Sequence, residues 1–187
     1  MRKFFTALCL AVVLAVSPSA VLAYGYIMET LGEAILRDDG LLHVVGMGLT
    51  DGAADDVLLY IDDAEIYDLR TGFVVTPGHI ADGDFIRVVY DSDQALEIYT
   101  NVGAPDAADF MVVVSGNIWY SDEGCAFVTI DGKYRVNLTA ETQLYDGYGY
   151  EMSFEEIVPG MEMFVWASFV TASFPGQVIP DKIVLLR

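Results

Sequence analysis

The chain has 187 residues, 54% of them hydrophobic, yet its formal net charge is −19, with 28 acids against 9 Lys and Arg. That balance excludes a nucleic-acid partner, because binding phosphates requires Lys and Arg to displace condensed counterions. It also disfavours adsorption to anionic lipid, and it keeps an apolar chain in solution.

Residues 1–23 have the layout of a secretory signal peptide. Arg2 and Lys3 form a basic start, Phe4 to Val16 an apolar core, and Val21-Leu22-Ala23 places small residues at the cleavage positions. The apolar run is shorter than the roughly 20 residues that span a bilayer, so no membrane insertion is expected once the signal is removed. The expected mature chain starts at Tyr24 and is exported, as a secreted or cell-envelope protein. Cys125 is then its one cysteine. An intramolecular disulfide is thereby excluded, and the thiol reads as a small buried hydrophobe.

The remainder repeats itself. Gly32 to Val44 lines up with Gly116 to Val128, then Tyr67-Asp68 with Tyr145-Asp146, and Ile80 and Gly83 with Ile157 and Gly160. Conserved order between two copies marks an internal duplication, with repeat 1 over residues 24–101, a linker over 102–109 and repeat 2 over 110–187.

Repeat 2 is the clearer copy. Phe110 to Tyr120 predicts a long first strand, bent at Gly116, with Tyr26 onward and Gly32 as the counterparts in repeat 1. Asp122-Glu123-Gly124 and Asp38-Asp39-Gly40 predict hairpin turns. Second strands follow at Cys125 to Ile130 and Leu41 to Met47, and a third at Tyr134 to Leu138. Repeat 1 carries a longer polar stretch at this point, Thr50 to Asp56, which reads as a loop. Ser153-Phe154-Glu155-Glu156 predicts a short helical start that Pro159-Gly160 ends. Strands four and five are expected at Met161–Val170 and Lys182–Leu186, and at Phe85–Tyr90 and Ala95–Thr100 in repeat 1. Five strands with a helical turn before the fourth predict an all-β fold of two tandem OB-like small barrels; a two-sheet sandwich is the competing reading.

The run Glu141 to Asp146, the segment Ser153 to Met161, and the ending Thr171 to Gln177 followed by Asp181 to Leu185 resemble repeated small β-barrel domains of exported Gram-positive, clostridial-type proteins. The resemblance covers about two thirds of repeat 2 and is weaker in repeat 1, which lacks the Pro175-Gly176-Gln177 loop. It implies an exported location and a barrel fold, and it supplies no catalytic residues.

No catalytic constellation stands out, so no enzyme is expected. A nucleophile needs an oriented base beside it, and the two histidines, His43 and His79, fall on a half-buried strand position and on the exposed side of a short helix. The acidic pairs Asp38-Asp39, Asp55-Asp56, Asp62-Asp63 and Glu155-Glu156 sit in turns or at element ends, unlike carboxylates that face each other across a cleft. No cofactor is expected beyond weak calcium binding, for which Asp51, Asp55 and Asp56 form one oxygen-rich run and Asp91, Asp93 and Glu97 another. Asn137-Leu138-Thr139 matches the glycosylation pattern but lies in a predicted strand.

The aromatic residues are the better candidates. Tyr145, Tyr148 and Tyr150 crowd one turn and Trp119-Tyr120 end the first strand of repeat 2, whereas Trp166 lies in an apolar run and reads as core. OB-type barrels bind chains of sugars or nucleotides across strands two and three, and charge removes the nucleotides. The expected function is a non-catalytic secreted or cell-envelope module that binds an extracellular glycan, peptide or protein. The alternative is a structural surface subunit that self-associates by adding its terminal strands, Tyr26–Ile35 or Ile183–Leu186, to a neighbour's sheet.

Overall fold

A computed structural model describes residues 27–49, 54–122 and 124–186. The predicted signal peptide and Asp51 lie outside the described residues. The rest is all-β, and contacts divide it between Ala107 and Ala108 into two compact units.

The first unit contains β1 (Ile27–Leu36), β2 (Leu42–Gly48), β3 (Ala54–Leu59), β4 (Glu65–Asp68), β5 (Val74–Val75), β6 (Phe85–Asp91) and β7 (Gln94–Thr100). The second contains β8 (Phe110–Ser121), β9 (Gly124–Thr129), β10 (Tyr134–Thr139), β11 (Gln143–Asp146), β12 (Glu162–Trp166), β13 (Gly176–Val178) and β14 (Lys182–Leu185). A 3₁₀ turn precedes β6 at Pro77–His79 and another precedes β12 at Phe154–Glu156. Glu156 reaches back to accept the N–H of Ser153 at 2.7 Å, which satisfies one of the donors that a helix start leaves unpaired.

Each unit forms one seven-stranded sheet, ordered β3-β2-β1-β6-β7-β4-β5 in the first and β13-β10-β9-β8-β12-β14-β11 in the second. Six positions correspond strand for strand, and the seventh strand is added at opposite ends, β5 beside β4 and β13 beside β10. Both sheets contain the same parallel pair, β4 with β7 and β11 with β14. The ladders form these open sheets rather than the closed five-stranded barrels expected from the sequence. A turn interrupts the third strand in each unit, where Ala64 N–H donates to Ile61 O at 3.2 Å and Thr142 N–H to Thr139 O at 3.0 Å. The strand therefore splits in two, and its second piece pairs parallel on the far side of the sheet.

The period-two pattern of each strand buries one face. In the first unit Leu42, Val44, Leu59, Ile86, Val88 and Ile98 form the core. In the second it is built from Val112, Phe127, Val136, Met163, Val165 and Ile183, with the Cys125 thiol buried among them. Burial pushes the Cys125 thiol pKa up, and Glu155 adds to the shift, so the group stays protonated and unreactive.

Three local readings change. Asp55 and Asp56, expected in a loop, lie in β3, because Met47 pairs with Ala54 and the ladder continues through Gly46–Asp55 and Val45–Asp56. The fourth strand of the second unit ends at Trp166, and Ser168 N–H and Oγ both turn to Asp181 Oδ2, at 3.2 and 2.7 Å. The segment after it, expected as a loop, contributes β13, which pairs parallel with β10.

Glycine is required by space in β1 and β2. A Cβ on Gly32 would meet Val45 O at 2.5 Å and one on Gly46 would meet Leu31 O at 2.1 Å, so these backbones touch face to face. Gly116, its counterpart in the sequence alignment, has open space around it and sits within a register shift between Val114 and Ile118. The predicted bend is therefore present in β8, while β1 runs as an unbroken ladder past Gly32.

Candidate functional site

The register of β8, β9 and β10 builds one face of the second unit. Trp119 pairs with Ala126, and Ala126 with Asn137. Two positions along, Val128 pairs with Arg135, and β13 extends the face by setting Gln177 beside Arg135. Strand alternation turns all of these side chains away from the core that holds Phe127 and Val136.

Ala126 is small, so Arg135 reaches across it and lays its guanidinium over the Trp119 ring, 5.1 Å from the centroid. Trp119 remains 50% exposed. Asn137 Nδ2 donates to Gln177 Oε1 at 3.2 Å and also to the backbone carbonyls of Arg135 and Val178 at 3.3 and 3.4 Å. These bonds hold the amide flat against the sheet and tie up the nitrogen that glycosylation would use.

Beside this row lies a groove of about 820 Å³, lined by Trp119, Tyr120, Arg135, Asn137, Thr139 and neighbouring residues of the turns. Tyr120 closes one side. Its hydroxyl donates to Ile157 O at 2.6 Å, which fixes the ring against the end of the 3₁₀ turn. Burial, the Cys125 sulfur and Glu155 raise the Tyr120 pKa, so the phenol serves as a donor and not as a base.

A smaller cavity of about 290 Å³ lies next to it, and Ala140 lines both. Tyr145, Leu144, Met152 and Phe154 face the smaller one. Tyr148 and Tyr150 line neither. They project from the turn after β11, 73% and 72% exposed, where Asp146 Oδ1 accepts both of their backbone N–H groups at 2.9 and 2.8 Å. The five aromatic residues singled out by the sequence are thus split among a groove, a neighbouring cavity and an open turn. Trp166, read as core, stacks edge-on with Phe164, and Lys182 sits over its ring.

Five of the candidate calcium residues lie among the described residues, and each makes a hydrogen bond or ion pair there. Asp55 Oδ2 accepts the Tyr90 hydroxyl at 3.1 Å, Asp56 pairs with His43 Nε2, and Glu97 accepts the Tyr99 hydroxyl at 2.5 Å. Asp91 accepts the Ser92 hydroxyl at 3.1 Å, and Asp93 contributes its backbone carbonyl to Tyr60 N–H at 2.8 Å. Among the described residues no three His, Cys, Asp or Glu side chains converge on one metal position. His79 ends its 3₁₀ turn in solvent, with Nδ1 3.3 Å from Thr76 Oγ1.

Arg135, Asn137 and Gln177 were not among the binding candidates of the sequence, where Asn137 stood only as a glycosylation match. The alternation Arg135-Val136-Asn137-Leu138-Thr139 marks their common face, but the register that brings Arg135 to Trp119 depends on the bulge in β8, which leaves only Gly116 as a trace.

Comparison with protein-family models, with curated proteins and with solved structures finds no match for this chain.

Proposed function

We propose that the protein is a non-catalytic exported module that binds a glycan on the outer face of β8, β9 and β10. The observation that carries this reading is the half-exposed Trp119 beneath the Arg135 guanidinium, beside an open groove that Tyr120 also lines. A flat aromatic ring amid amide, hydroxyl and guanidinium groups suits a sugar, whose ring stacks on the indole while its hydroxyls bond to the polar neighbours. We further propose that the two units are OB-like and descend from one duplicated domain. The matching order of six strands, the shared parallel pair and the 3₁₀ turn before β6 and before β12 support that descent. The Tyr60–Gln94 bridge supports an OB-like course, since it carries the third strand toward the fifth.

The self-assembling subunit is the weaker reading. β1 is hydrogen-bonded to β2 and β6, and β14 to β11 and β12, so these strands are occupied on both edges. The test is an array of immobilised glycans and peptides probed with the purified protein and with Trp119→Ala. Binding to glycans that falls at least about tenfold in the variant supports the reading, this being the loss of a contact worth roughly 1.5 kcal/mol. Binding to peptides alone, or binding indifferent to Trp119, refutes it.

A further inference from the structure

We infer that the glycan taken by this groove carries a carboxylate on one sugar beside neutral neighbours, and that Arg135 reads that carboxylate. This deepens the proposed function and rests on it.

The first observation is where the positive charges are spent. Arg37 holds Asp39 at 3.0 Å, Arg70 holds Asp106 at 2.9 Å, Lys133 holds Asp131 at 3.2 Å, and Arg87 holds Glu29. Arg135 differs. Among the described residues no carboxylate lies within ion-pairing distance of it, although the chain has three times as many acids as bases. In such a chain an unclaimed guanidinium is one kept from the acids. Arg135 is kept from them by lying on the Trp119 ring, which leaves its planar fork of donors open to the groove. That fork matches a carboxylate with two parallel hydrogen bonds.

The second observation is the polarity of the groove. Arg135 pairs with Val128 near one end of the β9–β10 ladder, whereas Thr139 pairs with Gly124 at the other, where Asp122 and Glu141 line the groove. Four residues of strand separate the two ends, or roughly 13 Å. An anion is favoured at the Arg135 end and repelled at the Asp122–Glu141 end, where an uncharged sugar meets no such repulsion. A densely charged polyanion would meet both ends and the field of the whole chain, so the carboxylates must be spaced. Between the ends Trp119 supplies a ring contact and the Asn137 side-chain oxygen an acceptor for the hydroxyls of a neutral sugar.

The test uses the purified protein and two tetrasaccharides that differ in this feature. Hyaluronan tetrasaccharide alternates glucuronate with N-acetylglucosamine, and chitin tetrasaccharide is neutral throughout. Titration calorimetry is expected to give hyaluronan at least a tenfold advantage, the order of one charged hydrogen-bonded contact. Arg135→Gln should remove the advantage, hyaluronan and chitin then binding alike, and Arg135→Lys, which keeps the charge but not the fork, should retain only part of it. Equal affinities, a preference for chitin, or a hyaluronan preference that survives Arg135→Gln would overturn the inference while leaving the glycan-binding reading in place. Binding of neither sugar would overturn the inference, and an array empty of any glycan would remove the reading beneath it.

Discussion

The outer faces of β1–β2–β3 and β8–β9–β10 occupy the same place in two sheets of the same order, yet they are built differently. In the first unit Gly32 and Gly46 let two backbones touch, the ladder stays regular, and the face carries Val45, Met47 and Leu58 with the His43–Asp56 pair. In the second unit the register shifts between Val114 and Ile118, and the strand emerges with Trp119 opposite Ala126 and within reach of Arg135. One strand order therefore gives a regular ladder in the first unit and a groove in the second. The lesson is that a bulge, rather than a change of topology, re-aims the side chains.

Substitutions can break this contrast, and the largest effect is expected in the core. The sequence alignment places Phe127 on His43, but Phe127 is fully buried whereas His43 looks outward to Asp56. Phe127→Ala should cost about 3–5 kcal/mol of stability by leaving a cavity in the second unit. His43→Ala should cost no more than about 1 kcal/mol, since its partner is exposed. Urea unfolding followed by circular dichroism separates the two; similar costs would mean that the positions are equivalent after all.

Next come the glycines. Gly46→Ala drives a methyl group into Leu31 O and should cost about 1–3 kcal/mol or more. Gly116→Ala meets nothing within 4 Å and should change stability by less than about 1 kcal/mol, in the stabilising direction. Equal penalties in thermal unfolding would remove the close approach as the reason for glycine in β1 and β2.

The smallest effect is a pH dependence at the turn between β9 and β10. Burial alone would raise the Asp131 pKa, but the Thr129 hydroxyl at 2.5 Å, the Lys133 N–H at 3.0 Å and the Lys133 ammonium outweigh it and hold the carboxyl below its ordinary value. A depressed folded-state pKa contributes stability that is present above the unfolded value, and it is lost as pH falls through the folded one. Asp131→Asn should therefore destabilise the second unit at neutral pH and flatten its stability profile below the usual carboxylate range. A profile unchanged by the substitution would contradict that assignment.

The strands and turns could largely be read from the sequence. Alternation in Tyr134 to Leu138, the Asp38-Asp39-Gly40 turn and the Ser153–Glu156 helical start are local signals, and each appears where expected. What stayed hidden depends on pairing between distant segments. A one-residue slip reverses every side chain on a strand, so an alignment that matched Phe127 to His43 could not tell which faces inward. The split third strand and β13 depend on turns and on a parallel partner far along the chain. Of the candidate site, Trp119 and Tyr120 announce themselves in the sequence as aromatic residues, whereas Arg135 becomes meaningful only once the ladder puts it across Ala126.

The most direct test of the account is to titrate the ¹⁵N-labelled protein with hyaluronan tetrasaccharide and follow its amide and indole resonances. The account predicts shifts concentrated at the Trp119 indole, Ala126, Arg135, Asn137 and Thr139, with the Val45, Met47 and Leu58 face of the first unit silent. Shifts centred on that first-unit face, or none at Trp119, would contradict the claim that the bulged strand of the second unit builds the binding surface.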